Sequence, residues 1–481
     1  MCDSQQADAP LLSGRVARSA ALVSIRIVAG YAVSGVAMLI LTHRVSPAEF
    51  GIYATLVATS LLAYQFVTAG FAYAFSRTDI IIADNVVDAA FWLFECLYLT
   101  VAALLITLSF IVSGGLAHIV LRGMAGFVAF APLRFPMMVR CWQRLEMGRL
   151  AAIDFCEATV LQVGSLALVM LGCGPSAFAY AIIAAVLVSS FLSMIGMRWH
   201  PRRPVFAPLY PWFKEVRSLF LTTTMTLLRD NGSTAMLSAV FGTVTAGYYG
   251  WAAGVSVAIV GLAGALSQVL FLGFAQTHDR ELLADAASRA IRMLVSYVGF
   301  VVAVVGGAAQ PITTTVFTVR WLPALLTLRL LLATFGAITV LSIFINLAMA
   351  GRHTGAANRC LLLLLGMMIV LGLPAGAIWG VSGYAGGFLT GVIMVTILAW
   401  RYINRIYPLG HDTAMAAVGV AASVCITVVA GSLLFHGDHV SWPCLFDALM
   451  FSATVFTLTA YFFTRGKIIT YLVDAYRLLR A

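Results

Sequence analysis

The strongest constraint on this chain is a series of apolar runs, each unbroken for about 20 residues, the length an α-helix needs to cross a hydrocarbon core. Strands of a membrane barrel would instead alternate apolar and polar residues over about ten positions. Lipid offers the backbone no hydrogen-bond partners, so a spanning chain must satisfy its own amides within helices or a closed barrel. Composition agrees: 62% of the 481 residues are hydrophobic and 10% are charged, with a mean hydropathy of +0.98. Soluble domains hold about 45–50% apolar and about 25% charged residues, so water could not carry this excess. The expected class is an all-α polytopic membrane protein.

The runs divide into about 14 transmembrane helices. The first six fall at 19–41, 50–75, 87–112, 116–138, 151–172 and 177–198, and the next six at 217–240, 247–272, 290–309, 322–349, 359–379 and 383–400. A last pair follows at 413–435 and 444–463. Short cytoplasmic loops collect Lys and Arg. With the N-terminus inside, Arg15, Arg18, Arg77, Arg140, Arg144, Arg149, Arg202, Arg203, Lys214, Arg280, Arg352, Arg405, Arg465 and Lys467 all face the cytoplasm. The opposite side then holds only Arg44 and Arg320. This asymmetry places both termini inside, in a bacterial inner membrane, and accounts for the net charge of +10 without a nucleic-acid partner, which would need a solvated basic patch. The polar stretch Met1 to Arg18 leads straight into a full-length span, so no cleavable signal peptide is expected. The longest loops, His200 to Lys214 and Gly273 to Ser288, are too short for a catalytic domain.

Two segments about six spans apart resemble each other. Ser46-Pro47-Ala48-Glu49-Phe50-Gly51-Ile52-Tyr53-Ala54 opens the second span, and Thr243-Val244-Thr245-Ala246-Gly247-Tyr248-Tyr249-Gly250-Trp251-Ala252 opens the eighth. Gly172-Cys173-Gly174-Pro175 and Gly380-Val381-Ser382-Gly383 form a second such pair. A six-helix repeat preserves orientation and predicts two lobes related by an axis along the membrane normal, with a substrate cavity at their interface. The expected organisation is a cytoplasmic segment over 1–18, an N-lobe over 19–200 and a linker over 201–216. A C-lobe over 217–400, an extra helix pair over 413–463, read as a lipid-facing appendage, and a cytoplasmic tail over 464–481 complete it.

These residues resemble a known family. Arg15 to Arg77, with Leu41-Thr42-His43-Arg44-Val45 leading into the Ser46 to Ala54 motif, is similar to the opening of the polysaccharide-biosynthesis flippases. Those proteins belong to the multidrug/oligosaccharidyl-lipid/polysaccharide exporter superfamily. The second half follows in order with Gly247-Tyr248-Tyr249, Ala252-Ala253, Leu270-Phe271-Leu272-Gly273-Phe274-Ala275 and Trp321-Leu322-Pro323-Ala324. Gly273 departs from the family, whose members usually carry a proline there. The resemblance covers roughly 15–407 and implies transport of an undecaprenyl-pyrophosphate-linked oligosaccharide from the cytoplasmic to the periplasmic leaflet, for exopolysaccharide or O-antigen synthesis. It implies the polymerase and other polysaccharide-assembly proteins as partners.

Five arginines fall inside the expected spans: Arg26, Arg122, Arg134, Arg229 and Arg329. A charge at a helix centre costs about 2.5–3.5 kcal/mol on insertion scales, so such residues face a wet cavity or a partner. The acidic residues available are Glu95, Asp154, Glu157 and Asp230. The surplus of guanidinium predicts a positively charged cavity, whose guest would be a pyrophosphate head group held by bidentate forks. Each arginine also has a plainer reading: Arg122 and Arg134 as snorkelling or capping residues, Arg229 as a structural partner of Asp230 or Glu95, and Arg329 as a residue near a span end. Arg26 stands farthest from any carboxylate in sequence and is the strongest candidate for substrate contact. Glu95, Asp154 and Asp230 are candidates for coupling an ion. Gln65, Gln162, Gln268, Asn231 and Asn346 could line a sugar path or bond between helices. Tyr31, Tyr53, Tyr64 and Trp251 could stack on sugars or form the interfacial belt. Pro132, Pro136, Pro323 and Pro374 could hinge a motion or merely kink a helix.

No catalytic or metal site is expected, and no cofactor. The eight cysteines have neither metal-ligand nor redox spacing, and His436-Gly437-Asp438-His439 lacks further ligands. A drug/cation antiporter of the same superfamily is the main alternative, and it would want acidic residues in the cavity. A membrane glycosyltransferase or ligase would want a large loop and catalytic carboxylates. Nothing in the sequence favours a purely structural assembly factor.

Overall fold

The computed structural model describes residues 29–30, 32–75, 82–112, 117–144, 146–197, 202, 205–276, 280–350, 353–435, 441–464 and 466–468. All regular structure among them is helical. Arg26, Tyr31 and the His436 to His439 loop lie outside the described residues. In chain order the helices are α1 Ala32–Arg44, α2 Pro47–Phe75, α3 Asp84–Ile111, α4 Ala117–Phe130, α5 Phe135–Arg144 and α6 Met147–Met170. Next come α7 Ser176–Met197, α8 Tyr210–Leu227, α9 Ser233–Phe241, α10 Thr243–Gln276, α11 Arg280–Gly307 and α12 Ala309–Thr315. The last are α13 Leu325–Ala350, α14 Thr354–Met367, α15 Leu373–Ile406, α16 His411–Leu434 and α17 Trp442–Phe463.

The expected spans fall on these helices. The fourth runs through α4 and α5 across a 3-10 turn at Ala131–Arg134, with Pro132 inside the turn and Pro136 at the start of α5. The seventh runs through α8 and α9 across a π turn at Leu228–Gly232, and the eleventh crosses a second π turn at Met368–Gly372. Pro323 sits in a 3-10 turn leading into α13, and Pro374 in the first turn of α15. The chain reverses inside α15 at Trp379 and Gly380, which leave helical geometry and separate the eleventh span from the twelfth. Gly172 and Gly380, which open the two matching segments, both take positive φ, 81° and 65°, where L side chains are strained. This second pair of segments therefore marks two helix reversals.

Helix ends differ from the hydropathy reading where a helix outruns its apolar stretch. The expected loop Gly273 to Ser288 is mostly helix: α10 continues through Gly273 to Gln276 and α11 already begins at Arg280. Its first turns are amphipathic, with Leu283, Ala284 and Ala287 buried. Arg289 pairs with Asp285 across one exposed turn at 2.9 Å. Polar residues on one face lower the mean hydropathy of a helix without ending it. Likewise α8 begins at Tyr210, not 217, and α15 extends to Ile406.

Chain contacts divide the molecule into a unit over Met1–Gly247 and a unit over Tyr248–Ala481. In the first, α6 packs along α7, α3 along α4, and α8 along α2. The seventh span, expected to open the C-lobe, thus packs with the first six. In the second, α11 is the centre: α13, α16 and α17 all pack on it. The extra pair α16–α17 packs closely on α11. Gly431 of α16 lies so close to Gly307 of α11 that an added methyl would sit 2.6 Å from the Gly307 carbonyl oxygen. Small residues let membrane helices approach this closely, where packing replaces the hydrophobic drive.

Candidate functional site

The first half of the repeat motif is a helix start and a helix contact. Ser46 caps α2: its backbone N–H donates to Glu49 Oε2 at 2.8 Å, and the Glu49 N–H donates to Ser46 Oγ at 3.3 Å. This reciprocal box, with Pro47 at the first helical position, satisfies donors that a helix end otherwise leaves open. One turn further on, Gly51 meets the start of α10. A methyl added to Gly51 would overlap the Thr243 carbonyl, and one added to Gly247 would overlap the Pro47 carbonyl. The two motif copies touch reciprocally, within the first unit. In each contact a glycine Cα–H points at the facing carbonyl, a weak hydrogen bond that only glycine permits here.

The intramembrane arginines have separate environments. Arg134 sits at the 3-10 break between α4 and α5. Its Nη2 donates to Asp154 Oδ1 at 2.5 Å and its Nη1 to Glu157 Oε2. The three side chains are 17%, 27% and 17% exposed, respectively. Ser189 of α7 hydrogen-bonds to Glu157, and Tyr64 of α2 lies within electrostatic reach of all three groups. The break itself is stabilised by Ser190, whose hydroxyl donates to the Phe130 carbonyl at 2.8 Å. Arg229 lies on the π turn and pairs through Nε with Asp230 Oδ1 at 2.7 Å. Its side chain is 13% exposed, Asp230 49%.

Arg329 differs from both. Its Nε donates to the Gly306 carbonyl at 3.1 Å, while its Nη2 is buried without a hydrogen-bond partner among the described residues. Arg122 is exposed on α4, with its guanidinium 5.5 Å from the Phe110 ring centroid, a cation–π contact. Glu95 on α3 has a buried Oε2 with no partner among the described residues. The positive surplus expected from Arg134 and Arg229 is therefore countered locally. Among the described residues, no group of three or more His, Cys, Asp or Glu is placed to hold a metal ion.

The polar and aromatic candidates also resolve. Gln162 joins Ser34 of α1, at 3.4 Å, to the Tyr53 hydroxyl of α2. Trp251 is fully buried and stacks on Trp321 with ring centroids 5.3 Å apart, which makes it core and not a sugar platform. Two features were missed in sequence. Glu157 entered only as one of the acidic residues available inside the spans and not as a site residue, although Arg134 lies ten residues before the end of α5 and Glu157 ten after the start of α6. A helical hairpin brings such positions level. Arg292 is the other: it lies half-buried on α11, its Nη1 donating to Thr413 of α16 at 3.0 Å.

With the helix order and this polar geometry established, comparison with known proteins assigns the chain. Residues 40–326, more than half of its length, match the family described as "Polysaccharide biosynthesis protein". The chain belongs to that family. No curated protein sequence matches it. Among solved structures, a lipid II flippase MurJ in an inward closed conformation is similar at a TM-score of 0.70, with 12% identity over 95% of this chain and 99% of that one. A multidrug resistance MATE family transporter in an outward-facing conformation gives 0.53, with 17% identity over 81% and 96%. A MOP superfamily transporter from Pyrococcus furiosus gives 0.53, with 16% identity over 85% and 96%. These similarities establish the fold. This family member is a multi-pass membrane protein with the helix order of MOP superfamily transporters, and its structural relatives are transporters and flippases, not enzymes.

Proposed function

We propose that this protein is a flippase that moves an undecaprenyl-pyrophosphate-linked oligosaccharide from the cytoplasmic to the periplasmic leaflet of a bacterial inner membrane, supplying exopolysaccharide or O-antigen synthesis. The observation that carries the reading is the joint match: a polysaccharide biosynthesis family over residues 40–326, and near end-to-end structural agreement with a lipid II flippase. The mechanism proposed is alternating access. A head group enters from the cytoplasm while the lipid tail stays in the bilayer, and the glycan leaves outward. The Gly51–Gly247 contact must part as the helix starts of α2 and α10 separate. Both termini lie in the cytoplasm, and the polymerase and other assembly proteins are the expected partners.

Of the five arginines, Arg26 and Arg329 remain the proposed pyrophosphate contacts. Arg329 supports this with a guanidinium nitrogen that has no partner among the described residues beside its backbone bond to Gly306, the donor a phosphate oxygen would accept. Arg229 is a weaker contributor, since its Nε is already engaged by Asp230. Arg122 and Arg134 are assigned other roles by their partners. An inside-negative potential favours export of an uncompensated anion by about 2.3 kcal/mol per charge per 100 mV.

A second reading, a drug/cation antiporter, draws on the carboxylates that counter Arg134 and Arg229 and on the multidrug transporters among the structural relatives. Cavity polarity is not constant within this fold: the Pyrococcus furiosus transporter is described as having a binding pocket of reverse polarity, which suggests a different function for that protein. Deletion of the gene separates the readings. The flippase reading expects intact lipid-linked glycan units trapped in the cytoplasmic leaflet with unchanged drug sensitivity. Heightened drug sensitivity with normal glycan would replace it.

A further inference from the structure

In the second unit, one end of the α13–α14–α15 bundle leaves an apolar cleft of about 210 Å³ open at its surface. Each helix lines it with small side chains. Ala348 lies two residues before the end of α13, Ala356 and Ala357 fall in the first turn of α14, and Ala399 in the last two turns of α15. The lining residue most open to the surroundings is Tyr402, 38% exposed. Methyl groups on three helices leave a space that larger side chains would fill, and an unfilled apolar space forfeits the packing contacts that hold membrane helices together. Hydrocarbon from the bilayer is the material at hand to fill it.

A second observation concerns charge. No Asp or Glu occurs between Asp285 and Asp412, a stretch with eight arginines. Three of these adjoin the cleft: Arg359 precedes the lining residue Cys360, and Arg401 and Arg405 bracket Tyr402 and Ile403 on the last two turns of α15. All three are exposed, and none has a carboxylate partner among the described residues. Arg359 Nε donates to the Gly355 carbonyl one turn back, at 3.2 Å. Other exposed cations of the second unit are paired, Arg289 with Asp285 and Lys467 with Asp412. A cytoplasmic excess of arginine explains the sign of this rim, but not its coincidence with a cleft open to lipid. A second copy of the chain is a poor occupant, since a two-fold contact would set one unpaired arginine rim against another.

We propose that this cleft binds an anionic phospholipid of the cytoplasmic leaflet, in the orientation proposed above. One hydrocarbon chain fills the space among Ala348, Ala357 and Ala399. The phosphate lies on Arg359, Arg401 and Arg405, whose guanidinium groups donate to its oxygens. Tyr402 joins the two parts, its ring beside the chain and its hydroxyl at head-group level, as suits an amphipathic side chain at the interface. Basic pockets between helices on the cytoplasmic side hold anionic head groups by the same physics. The site is separate from the proposed pyrophosphate contact at Arg329, which lies nineteen residues before Ala348 on α13, about 28 Å along the axis. The bound lipid ties α14 to α13 and α15, so the second unit is more stable with anionic lipid than without it.

The test uses the purified full chain in a neutral detergent, which has no leaflets and so reads the site whatever the orientation. Thermal unfolding is followed as dioleoyl-phosphatidylglycerol, dioleoyl-phosphatidylcholine, dihexanoyl-phosphatidylglycerol or inorganic pyrophosphate is added. Dioleoyl-phosphatidylglycerol should raise Tm saturably. The choline lipid, which shares its chains, and the dihexanoyl lipid, which shares its head group, should each do much less. Arg401→Gln combined with Arg405→Gln should raise the half-saturating lipid concentration on the order of tenfold and leave Tm without lipid unchanged. Ala399→Leu, which fills the cleft and keeps the arginines, should remove the response, with Ala348→Leu in its place if Ala399→Leu folds poorly. Equal responses to the two dioleoyl lipids, or an unchanged response in the double arginine variant, overturn the site. A rise with pyrophosphate that matches the lipid's would make these arginines a substrate phosphate site and overturn the phospholipid assignment.

Discussion

Arg134 and Arg329 are both arginines within apolar spans, and their surroundings are opposite. Arg134, in the first unit, is paired with two carboxylates on the neighbouring helix, Asp154 and Glu157. Arg329, in the second, has one backbone carbonyl and a buried nitrogen without a partner among the described residues. The same side chain is therefore a structural anchor in one place and an available donor in the other. Residue type alone does not make a membrane arginine an anion site; the count of acceptors around it does.

The sharpest way to break this comparison is to remove each guanidinium in turn. Arg134→Met leaves two half-buried carboxylates facing each other and should lower the unfolding free energy of the solubilised chain, by less than the roughly 3–5 kcal/mol that unpairing a fully buried ion pair costs. Adding Glu157→Gln to that variant should recover part of the loss, because the remaining acid no longer faces a like charge. If Arg134→Met is as stable as the wild type, the carboxylates are neutral and the first half of the comparison fails. A smaller effect contrasts helix contacts in the two units. Gly51→Ala and Gly431→Ala each press a methyl on a facing backbone carbonyl and should cost about 1–3 kcal/mol. Gly51→Ala should also depress glycan export, since its contact has to open, whereas Gly431→Ala should act through stability alone. Arg329→Met should have the least effect on stability, within about 1 kcal/mol, because it gives up one hydrogen bond. It should nonetheless lower export several-fold at unchanged protein level; unaltered export would remove Arg329 from the pyrophosphate path.

Much of this was legible in the sequence, for identifiable reasons. Span positions follow from apolar runs, and every expected span falls on a helix or a helix pair where residues are described. The repeat motifs were recognisable because each does a local job: Ser46 and Glu49 form a cap, Gly51 and Gly247 allow a close approach, and Gly172 and Gly380 turn the chain. Helix ends were less legible. At Arg280 and Tyr210 an amphipathic turn looks like a loop to an average over hydropathy. The Arg134–Glu157 pairing could have been read from its equal spacing about the α5–α6 turn. The Arg329–Gly306 bond could not, because a backbone carbonyl leaves no trace in residue identity. Nor could the π turn under Arg229 or the stacking of Trp251 on Trp321, which depend on how neighbouring segments pack in each unit.

The most direct test of the account is leaflet exchange by the purified full chain. Reconstituted in liposomes with an undecaprenyl-pyrophosphate oligosaccharide labelled on its sugar, it should bring glycan from the inner leaflet within reach of an external lectin, and Arg329→Met should slow that appearance. Transfer no faster than in protein-free liposomes, from protein shown to be folded by its thermal transition, would contradict it.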